Sequence, residues 1–189
     1  MASSCWKEKK RVITRYDVTA HIYNLRYRKE QCRKYEAVLN SLEVAGRDLI
    51  LDVGCGTGLF IQRIVKLGGI IVGVDCSRKM LEETKKEAGH LINVSLICGD
   101  ADYLPLRESI FDKVFAFTLL QNMPNPRQTF LEVMRVAKID SYIVLTAQKK
   151  FFTKRSFAKL LEDVGLPIFK FFDDEELKDY IVLCRRQRE

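Results

Sequence analysis

The chain has 189 residues, of which 47% are hydrophobic and 30% are charged. This composition is typical of a single globular domain and argues against a disordered chain. The longest apolar runs fall far short of the ~20 residues that a membrane helix needs, and no apolar stretch follows the basic N-terminus as in a secretory signal. We therefore expect a cytoplasmic protein without a membrane-spanning segment.

The cysteine pattern argues against a metal site. The chain contains six cysteines and two histidines, and no two cysteines have the Cys-x-x-Cys spacing that zinc sites commonly use. We expect reduced thiols and no bound metal.

The positive charge is concentrated near the N-terminus. The net charge is +7, and residues 1–40 hold ten Lys and Arg against four Asp and Glu. Four tyrosines are interleaved with these cations: Tyr16, Tyr23, Tyr27 and Tyr35. Such a segment suits RNA, whose phosphates attract cations and whose unpaired bases stack on aromatic rings. A solvated helix face on a basic protein explains the charges equally well, so both interpretations stay open.

The predicted elements begin with a helix and continue as a regular alternation. Residues 12–45 have the apolar spacing of an amphipathic helix, which Gly46 ends. Strands and helices then take turns along the chain. The strands are predicted over 49–53, 70–74, 94–97, 113–117 and 142–146, and the helices over 59–67, 78–88, 126–137 and 156–164. Two last strands, over 168–172 and 180–184, are predicted to form a hairpin.

This alternation predicts an α/β fold, because parallel strands need crossover connections that are usually helical. We expect a seven-stranded, mostly parallel sheet with helices on both faces and an antiparallel hairpin at the C-terminus. The chain divides into a basic helical arm, residues 1–45, and a domain that holds the core, residues 46–189.

A glycine-rich turn follows the first predicted strand and precedes a helix. Its sequence over 54–58 is Gly-Cys-Gly-Thr-Gly. The dinucleotide-binding fingerprint Gly-x-Gly-x-x-Gly would have its third glycine at position 59, which is Leu59 here. Glycines let the backbone pass close to a ligand, and open α/β sheets bind ligands at the carboxyl ends of their strands. Tight packing alone could also account for this turn.

Acidic residues stand at the ends of the second and third predicted strands. Asp75 is placed to accept hydrogen bonds from both hydroxyls of a ribose, and Asp100 to accept a hydrogen bond from the exocyclic amine of adenine. Asp52 adds a negative charge beside the glycine turn, where an α-ammonium group would lie. A single aspartate after a strand is more often a turn or a helix cap. The glycine turn, Asp75 and Asp100 follow successive strands in order, and together they predict a site for an adenosine with an amino-acid-like tail.

Residues 48–147 resemble the core of the class I S-adenosylmethionine-dependent methyltransferases. The resemblance covers more than half of the chain and is carried by residues 51–58 (LDVGCGTG), 72–80 (VGVDCSRKM) and 98–101 (CGDA). Residues 131–138 (LEVMRVAK) are similar to the subgroup that includes ubiquinone-biosynthesis methyltransferases. The sequence departs from the family at 139–141, where Ile-Asp-Ser replaces the usual Pro-Gly-Gly, and the helix before the fourth strand is nearly absent.

The resemblance implies an S-adenosylmethionine-binding catalytic domain and assigns a role to each matched residue. The backbone of Gly54, Gly56 and Gly58 would hold the methionine part, and Asp75 the ribose. Cys76 would pack near the adenine, and Asp100 and Ala101 would contact the adenine edge. Thr118 would lie near the transferred methyl group.

The arm is also expected to contribute to this site. Tyr16 and Tyr23 are seven residues apart, about two helical turns, so they can share one helix face. In many related enzymes a tyrosine from such an arm closes over the cofactor, which makes Tyr23 a candidate cofactor contact. Packing of a surface aromatic pair against the core is the alternative.

The sequence does not identify the methyl acceptor or a catalytic residue. The Asn/Asp-Pro-Pro-aromatic tetrad typical of enzymes that methylate planar nitrogens is missing after the fourth strand, where Gln121 and Asn122 could orient a substrate or simply bond the loop. The first interpretation is an RNA or translation-related acceptor, with a small zinc-binding activator protein as partner by family analogy. A small-molecule acceptor and a catalytically silent scaffold subunit are the alternatives.

Overall fold

Five α-helices and seven strands alternate in the computed structural model, which describes residues 2–188. Met1 of the predicted arm and Glu189 of the predicted domain lie outside the described residues. The helices are α1 Ala2–Leu39, α2 Leu59–Ile64, α3 Arg78–Ala88, α4 Pro126–Val136 and α5 Lys154–Glu162. The strands are β1 Leu49–Val53, β2 Ile70–Asp75, β3 Val94–Cys98, β4 Phe111–Ala116, β5 Ala137–Gln148, β6 Ile168–Phe172 and β7 Asp179–Arg185.

The strands form one sheet in the order β3-β2-β1-β4-β5-β7-β6. The first five strands pair in parallel, and β7 pairs antiparallel with both β5 and β6. The predicted seven-stranded, mostly parallel sheet with an antiparallel C-terminal hairpin is therefore confirmed. Strand β7, the second strand of the hairpin, lies between β5 and β6 and is mostly buried, whereas β6 is the edge strand and has three exposed residues of five.

Helices cover both faces of this sheet, as the alternation predicts. On one face, α4 and α5 pack Phe130 and Phe157 against Val114 and Ile143 of the central strands. On the other face, α1 and α2 pack against the same strands. The strands buried on both sides place their carboxyl ends, and the turns that follow them, at one edge.

The predicted limits of several elements were wrong. Helix α1 begins at Ala2 rather than at residue 12, and it ends at Leu39 rather than at residue 45. Helix α5 begins at Lys154 because Thr153 and Ser156 form a capping box. Strand β5 begins directly after α4, so it takes in the Ile-Asp-Ser stretch that the sequence predicts as a turn.

The predicted arm shares the core of the predicted domain. Tyr35, Val38 and Leu42 are buried in one cluster with Phe60 of α2 and Ile181 of β7. The N-terminal part of α1 then crosses the carboxyl edge of the sheet and contacts α3. Among the described residues, no helix is long and apolar enough to cross a membrane.

Candidate functional site

A pocket lies at the carboxyl edge of the sheet, between the strand ends and α1. Eight of the ten predicted site residues line it: Gly54, Gly56, Asp75, Cys76, Asp100, Ala101, Thr118 and Tyr23. Apolar side chains of α1 and of the loop after β4 complete its walls, among them Val12, Ile13, Leu119 and Met123. The structure thus brings residues from four strand ends and the arm to one cavity.

The glycine turn borders this pocket through its backbone. Gly54 and Gly56 have φ values of 74° and 56°, in the left-handed region that favours glycine. The Gly54 N–H donates to the carbonyl of Val74 at 2.7 Å, which fixes the turn against β2. A Cβ on Gly56 would meet nothing nearer than 4.0 Å, so the space beside this residue is open to a ligand.

Gly58 does not line the pocket, contrary to the contact that the resemblance implies. Its φ is 73°, and a Cβ there would lie 2.5 Å from Cγ2 of Thr84 on α3. The Thr84 hydroxyl donates to the carbonyl of Gly56 at 2.7 Å. Gly58 therefore allows α3 to pack on the turn, and it supports the pocket without touching it.

Asp75 is fixed by the backbone of two neighbouring turns. Its Oδ2 accepts from the Gly56 N–H at 2.9 Å and its Oδ1 from the Ser77 N–H at 2.8 Å. Burial raises the pKa of this carboxyl, although the backbone hydrogen bonds oppose the shift. Each carboxylate oxygen has a further lone pair, so both remain able to accept from a ligand hydroxyl.

Asp52 lies beside a second, smaller cavity that shares Tyr23 and the glycine turn with the main pocket. The residue is 2% exposed, and its Oδ2 has no hydrogen-bond partner among the described residues. Burial, with a smaller contribution from the charge of Asp75, raises the pKa of Asp52 to about 8. A buried carboxyl without a partner is costly, and a cationic ligand group would relieve that cost.

Asp100 is engaged by the arm, which the sequence analysis missed. The Lys9 ammonium lies 2.7 Å from each oxygen of Asp100 and 2.5 Å from Oδ2 of Asp102. The predicted adenine contact of Asp100 therefore has to share this carboxylate with Lys9 or displace it. No local sequence signal links two residues that are 91 positions apart.

Helix α1 is held over the pocket by a series of polar contacts. The Ser77 hydroxyl donates to Asp17 at 2.6 Å, and the Thr57 hydroxyl donates to Asn24 at 2.5 Å. Tyr16 and Tyr23 both line the pocket, with ring centroids 6.2 Å apart. The two tyrosines thus share the face that their spacing predicts.

The loop after β4 carries the two polar residues that the sequence offered as substrate contacts. Asn122 lines the pocket, where it accepts from Arg15 at 2.6 Å and donates to the Tyr16 hydroxyl at 3.0 Å. Gln121 donates to the carbonyl of Thr118 and does not line the pocket. Their observed bonds tie the loop to itself and to α1.

Thr118 belongs to a buried polar cluster that sequence reasoning missed. Its hydroxyl accepts from Lys34 at 2.6 Å and from Gln31 at 3.1 Å, and Lys34 also pairs with Asp179 of β7. The lysine is 145 residues from its aspartate. Lys34 and Lys9 are two of the ten cations of residues 1–40 that the sequence offers to RNA. Burial removes Lys34 from that set, and the ion pair with Asp100 removes Lys9.

Other basic residues of α1 are exposed. Arg26, Arg28 and Lys29 face solvent, and none of the three forms an ion pair within residues 5–188. In that same part of the chain, no three His, Cys, Asp or Glu side chains are grouped as metal ligands.

Comparison with known proteins shows the family to which this chain is similar. The model of the methyltransferase domain (Methyltransf_11) matches residues 51–145. The demethylmenaquinone methyltransferase of Staphylococcus saprophyticus is 33% identical over 137 residues, which cover 70% of this chain and 59% of that protein. The chain spans about half the length of the curated relatives it matches.

Two solved structures show the same fold at low sequence identity. Magnesium protoporphyrin IX methyltransferase from Synechocystis, with S-adenosylmethionine bound, is 18% identical with a TM-score of 0.81, covering 95% of this chain and 97% of that one. The putative methyltransferase in complex with the Haloferax volcanii Trm112 activator is 15% identical with a TM-score of 0.77, covering 92% and 98%. At these identities the likeness establishes the fold alone. The family model covers half of the chain and includes the glycine turn and the strand-end acids, so the chain belongs to the methyltransferase domain family.

Proposed function

We propose that this chain binds S-adenosylmethionine and transfers its methyl group to an acceptor. The observation that carries the proposal is the convergence of eight predicted residues on one pocket at the carboxyl edge of the sheet. A packing role for each residue taken singly does not explain why they meet in one cavity.

The residues present fit the chemistry of this cofactor. Asp75 would accept from the ribose hydroxyls, and the open space at Gly56 would admit the methionine part. The unpartnered Oδ2 of Asp52 would gain an ammonium partner near the turn. When bound, S-adenosylmethionine supplies an electrophilic methyl group on a sulfonium sulfur.

The protein's own contribution is alignment and exclusion of water. Helix α1 covers the pocket with Tyr16 and Tyr23, so a bound ligand would be shielded on the side opposite the sheet. Holding two reactants in line accounts for up to about 7–11 kcal/mol of a barrier in well-oriented systems. Asp100 and Ala101 would contact the adenine once Lys9 shares or releases its carboxylate.

Calorimetry with S-adenosylmethionine tests the cofactor assignment directly. We expect one binding event per chain. A folded chain that gives no heat of binding over a wide concentration range, alone and with a candidate activator, would refute the proposal.

For the acceptor we propose a small molecule. Apolar residues line the pocket beside the strand ends, among them Ile13, Leu119 and Met123. The named relatives include demethylmenaquinone methyltransferase and ubiquinone biosynthesis O-methyltransferase, which are small-molecule enzymes by name. Burial of Lys34 and pairing of Lys9 also reduce the basic surface available to a polyanion.

An RNA or translation-related acceptor is the second candidate, favoured by the exposed cations Arg26, Arg28 and Lys29 beside Tyr27. The structural neighbour solved with the Trm112 activator supports the idea that a small partner protein completes this function. Labelled methyl groups supplied to the RNA, protein and small-molecule fractions of a cell extract would separate these candidates. Labelling confined to RNA would replace the small-molecule proposal, and cofactor binding with no labelled fraction would favour the silent scaffold.

A further inference from the structure

A buried ion pair joins three elements beneath the pocket. Lys34 of α1 and Asp179 of β7 are each 1% exposed, and the Lys34 ammonium donates to Asp179 Oδ2 at 2.8 Å. The same ammonium donates to Thr118 Oγ1 at 2.6 Å. Replacing such a pair by apolar residues of similar volume is often neutral or stabilising. Stability alone therefore does not explain why two charges are buried here.

Thr118 connects this pair to the pocket. Its φ of 56° is a conformation that a β-branched residue rarely adopts, and its N–H is fixed by the Thr146 hydroxyl at 2.7 Å. Strained backbone that the surroundings enforce is concentrated at functional sites. The Thr118 hydroxyl accepts from Lys34 and Gln31, which leaves its own proton to Asp179 Oδ2 or Gln31 Oε1, each at 3.4 Å.

The proposed cofactor contacts place the reacting centre near this hydroxyl. If Asp75 holds the ribose and Asp52 the amino-acid tail, the part of the ligand between them would lie along the glycine turn. The loop at 118–119 borders that turn, since a Cβ on Gly54 would meet Leu119 Cδ1 at 3.1 Å. Thr118 also lines the same pocket. Its hydroxyl is therefore close to the path by which an acceptor would approach.

We propose, on the basis of the methyltransferase function above, that Thr118 and the Lys34–Asp179 pair form a proton relay. The acceptor is then a group that loses a proton, such as a hydroxyl or an amine. When the acceptor atom forms its bond to the methyl group and the bond from that methyl group to sulfur breaks, leaving its electron pair on the sulfur, Gln31 Nε2 would release its 3.1 Å hydrogen bond to Thr118, and the acceptor's proton would pass to the lone pair freed on Thr118 Oγ1. The original Thr118 proton moves to the Asp179 carboxylate, while Lys34 remains an ammonium. Thr118 contacts the acceptor, and Asp179 and Lys34 act through it as positioning residues.

Single variants test the relay. Each is assayed on the extract fraction into which the parent protein transfers labelled methyl groups. We expect Asp179→Asn and Thr118→Val to lower kcat by about 100-fold or more, the scale of a lost proton transfer. The Kd for S-adenosylmethionine, measured by calorimetry, should stay within about 3-fold of the parent value. Thr118→Ser keeps a hydroxyl and should restore most of kcat.

A double variant separates the relay from a structural clamp. Lys34→Met with Asp179→Leu removes both charges and leaves no unpaired ion. This double variant can therefore be measured even if Asp179→Asn alone fails to fold. We expect its ligand-free form to unfold at a denaturant concentration equal to or above that of the parent, and its kcat to remain as low as that of Thr118→Val. Asp48→Asn is the matched control, because it breaks another buried pair, with Lys113, at the opposite edge of the sheet and should leave kcat unchanged.

The outcomes distinguish the relay from the methyltransferase function itself. If the parent binds no cofactor and labels no fraction, the proposed function fails and the relay with it. If the parent labels a fraction but Asp179→Asn or Thr118→Val keeps kcat within about 3-fold, the relay alone is wrong. Recovery of kcat in the double variant would show that the charges of the pair are not needed for proton transfer and that the pair only holds the fold.

Discussion

Asp75 and Asp100 are both strand-end carboxylates, yet their surroundings predict different contributions to cofactor binding. Asp75 is nearly buried and faces only backbone donors, so its remaining lone pairs are available to a ribose. We expect Asp75→Ala to weaken S-adenosylmethionine binding by about 1.5–3 kcal/mol, the range for hydrogen bonds to a charged group. Asp100→Ala should cost less, because adenine offers a neutral donor and Lys9 already holds that carboxylate. Calorimetry on both variants checks this order, which a larger loss at Asp100 would contradict.

Asp52 makes the stability of the ligand-free protein depend on pH. Its pKa is raised to about 8 by burial, whereas an aspartate in an unfolded chain titrates near 3.9. Folding therefore favours the protonated carboxyl. The resulting stability is fully present below about pH 4 and is lost as the pH rises through about 8.

The substitution Asp52→Asn should remove this dependence. We expect the free energy of unfolding of the variant, relative to that of the parent, to increase from pH 5 to pH 9 by up to roughly 4 kcal/mol, because about three pH units separate pH 5 from the folded pKa of Asp52. Denaturant unfolding of both proteins at the two pH values measures the difference, and titrations elsewhere in the chain cancel in the comparison. If the difference in free energy of unfolding between the two proteins is the same at pH 5 and pH 9, Asp52 stays ionised in the folded protein.

At the scale of elements, the packing of α3 on the glycine turn depends on Gly58. Gly58→Ala would combine a left-handed φ of 73° with a Cβ only 2.5 Å from Thr84. Gly165→Ala is the matched control, because its φ is 71° and a Cβ there meets nothing within 4 Å. We expect the control to lose about 1–2 kcal/mol from backbone strain and Gly58→Ala to lose about 1–3 kcal/mol more from the clash.

The second variant Thr84→Ser isolates the clash. It removes the Cγ2 methyl group and keeps the hydroxyl that donates to Gly56. Added to Gly58→Ala, it should restore part of the lost free energy of unfolding in a denaturant titration. If Gly58→Ala and Gly165→Ala lose the same free energy of unfolding, α3 moves away from the added methyl group without a loss of stability.

Helix α1 is one element held by two kinds of force. Its C-terminal part is buried through Tyr35 and Val38, whereas its N-terminal part meets the pocket edge through polar contacts of Lys9, Asp17 and Asn24. The side chains of the Lys9 ion pairs are only 6–26% exposed, so salt screens these pairs much less than it screens pairs at the surface.

For the molecule as a whole, the exposed cations of α1 decide between the two acceptor candidates. If RNA is the acceptor, replacing Arg26, Arg28 and Lys29 together by Ala should weaken RNA binding and leave cofactor affinity nearly unchanged. Binding of the parent should also fall steeply with salt, in proportion to the phosphates neutralised. Filter binding at several salt concentrations measures both effects.

The matched control for this test has the same change in net charge. Lys66, Lys85 and Lys150 are exposed on other parts of the surface, and their joint replacement by Ala should leave RNA binding less affected. Equal losses in the two triple variants would indicate attraction by net charge alone. Absence of RNA binding by the parent at low salt, with its partner present, would leave the small-molecule acceptor.

The alternation of strands and helices can be predicted from the amino-acid sequence alone, because the period of apolar residues reports directly which faces are buried. The sequence also predicts that Gly54, Gly56 and Asp75 stand at strand ends and therefore lie near one another, since parallel strands bring their carboxyl ends to one edge. The cytoplasmic location and the cofactor roles of these residues stay predictions. Helix limits were less accurate, because a cap such as Thr153 depends on side-chain geometry.

Long-range contacts in the fold set which charged side chains lie at the site and which face solvent. Lys9, Lys34 and Arg28 belong to one basic segment in the sequence, yet the fold pairs the first with Asp100, buries the second with Asp179 and exposes the third. The partners are 91 and 145 residues away, and a local pattern carries no record of contacts at such distances. The same holds for Gly58, whose neighbour Thr84 is set by how α3 packs.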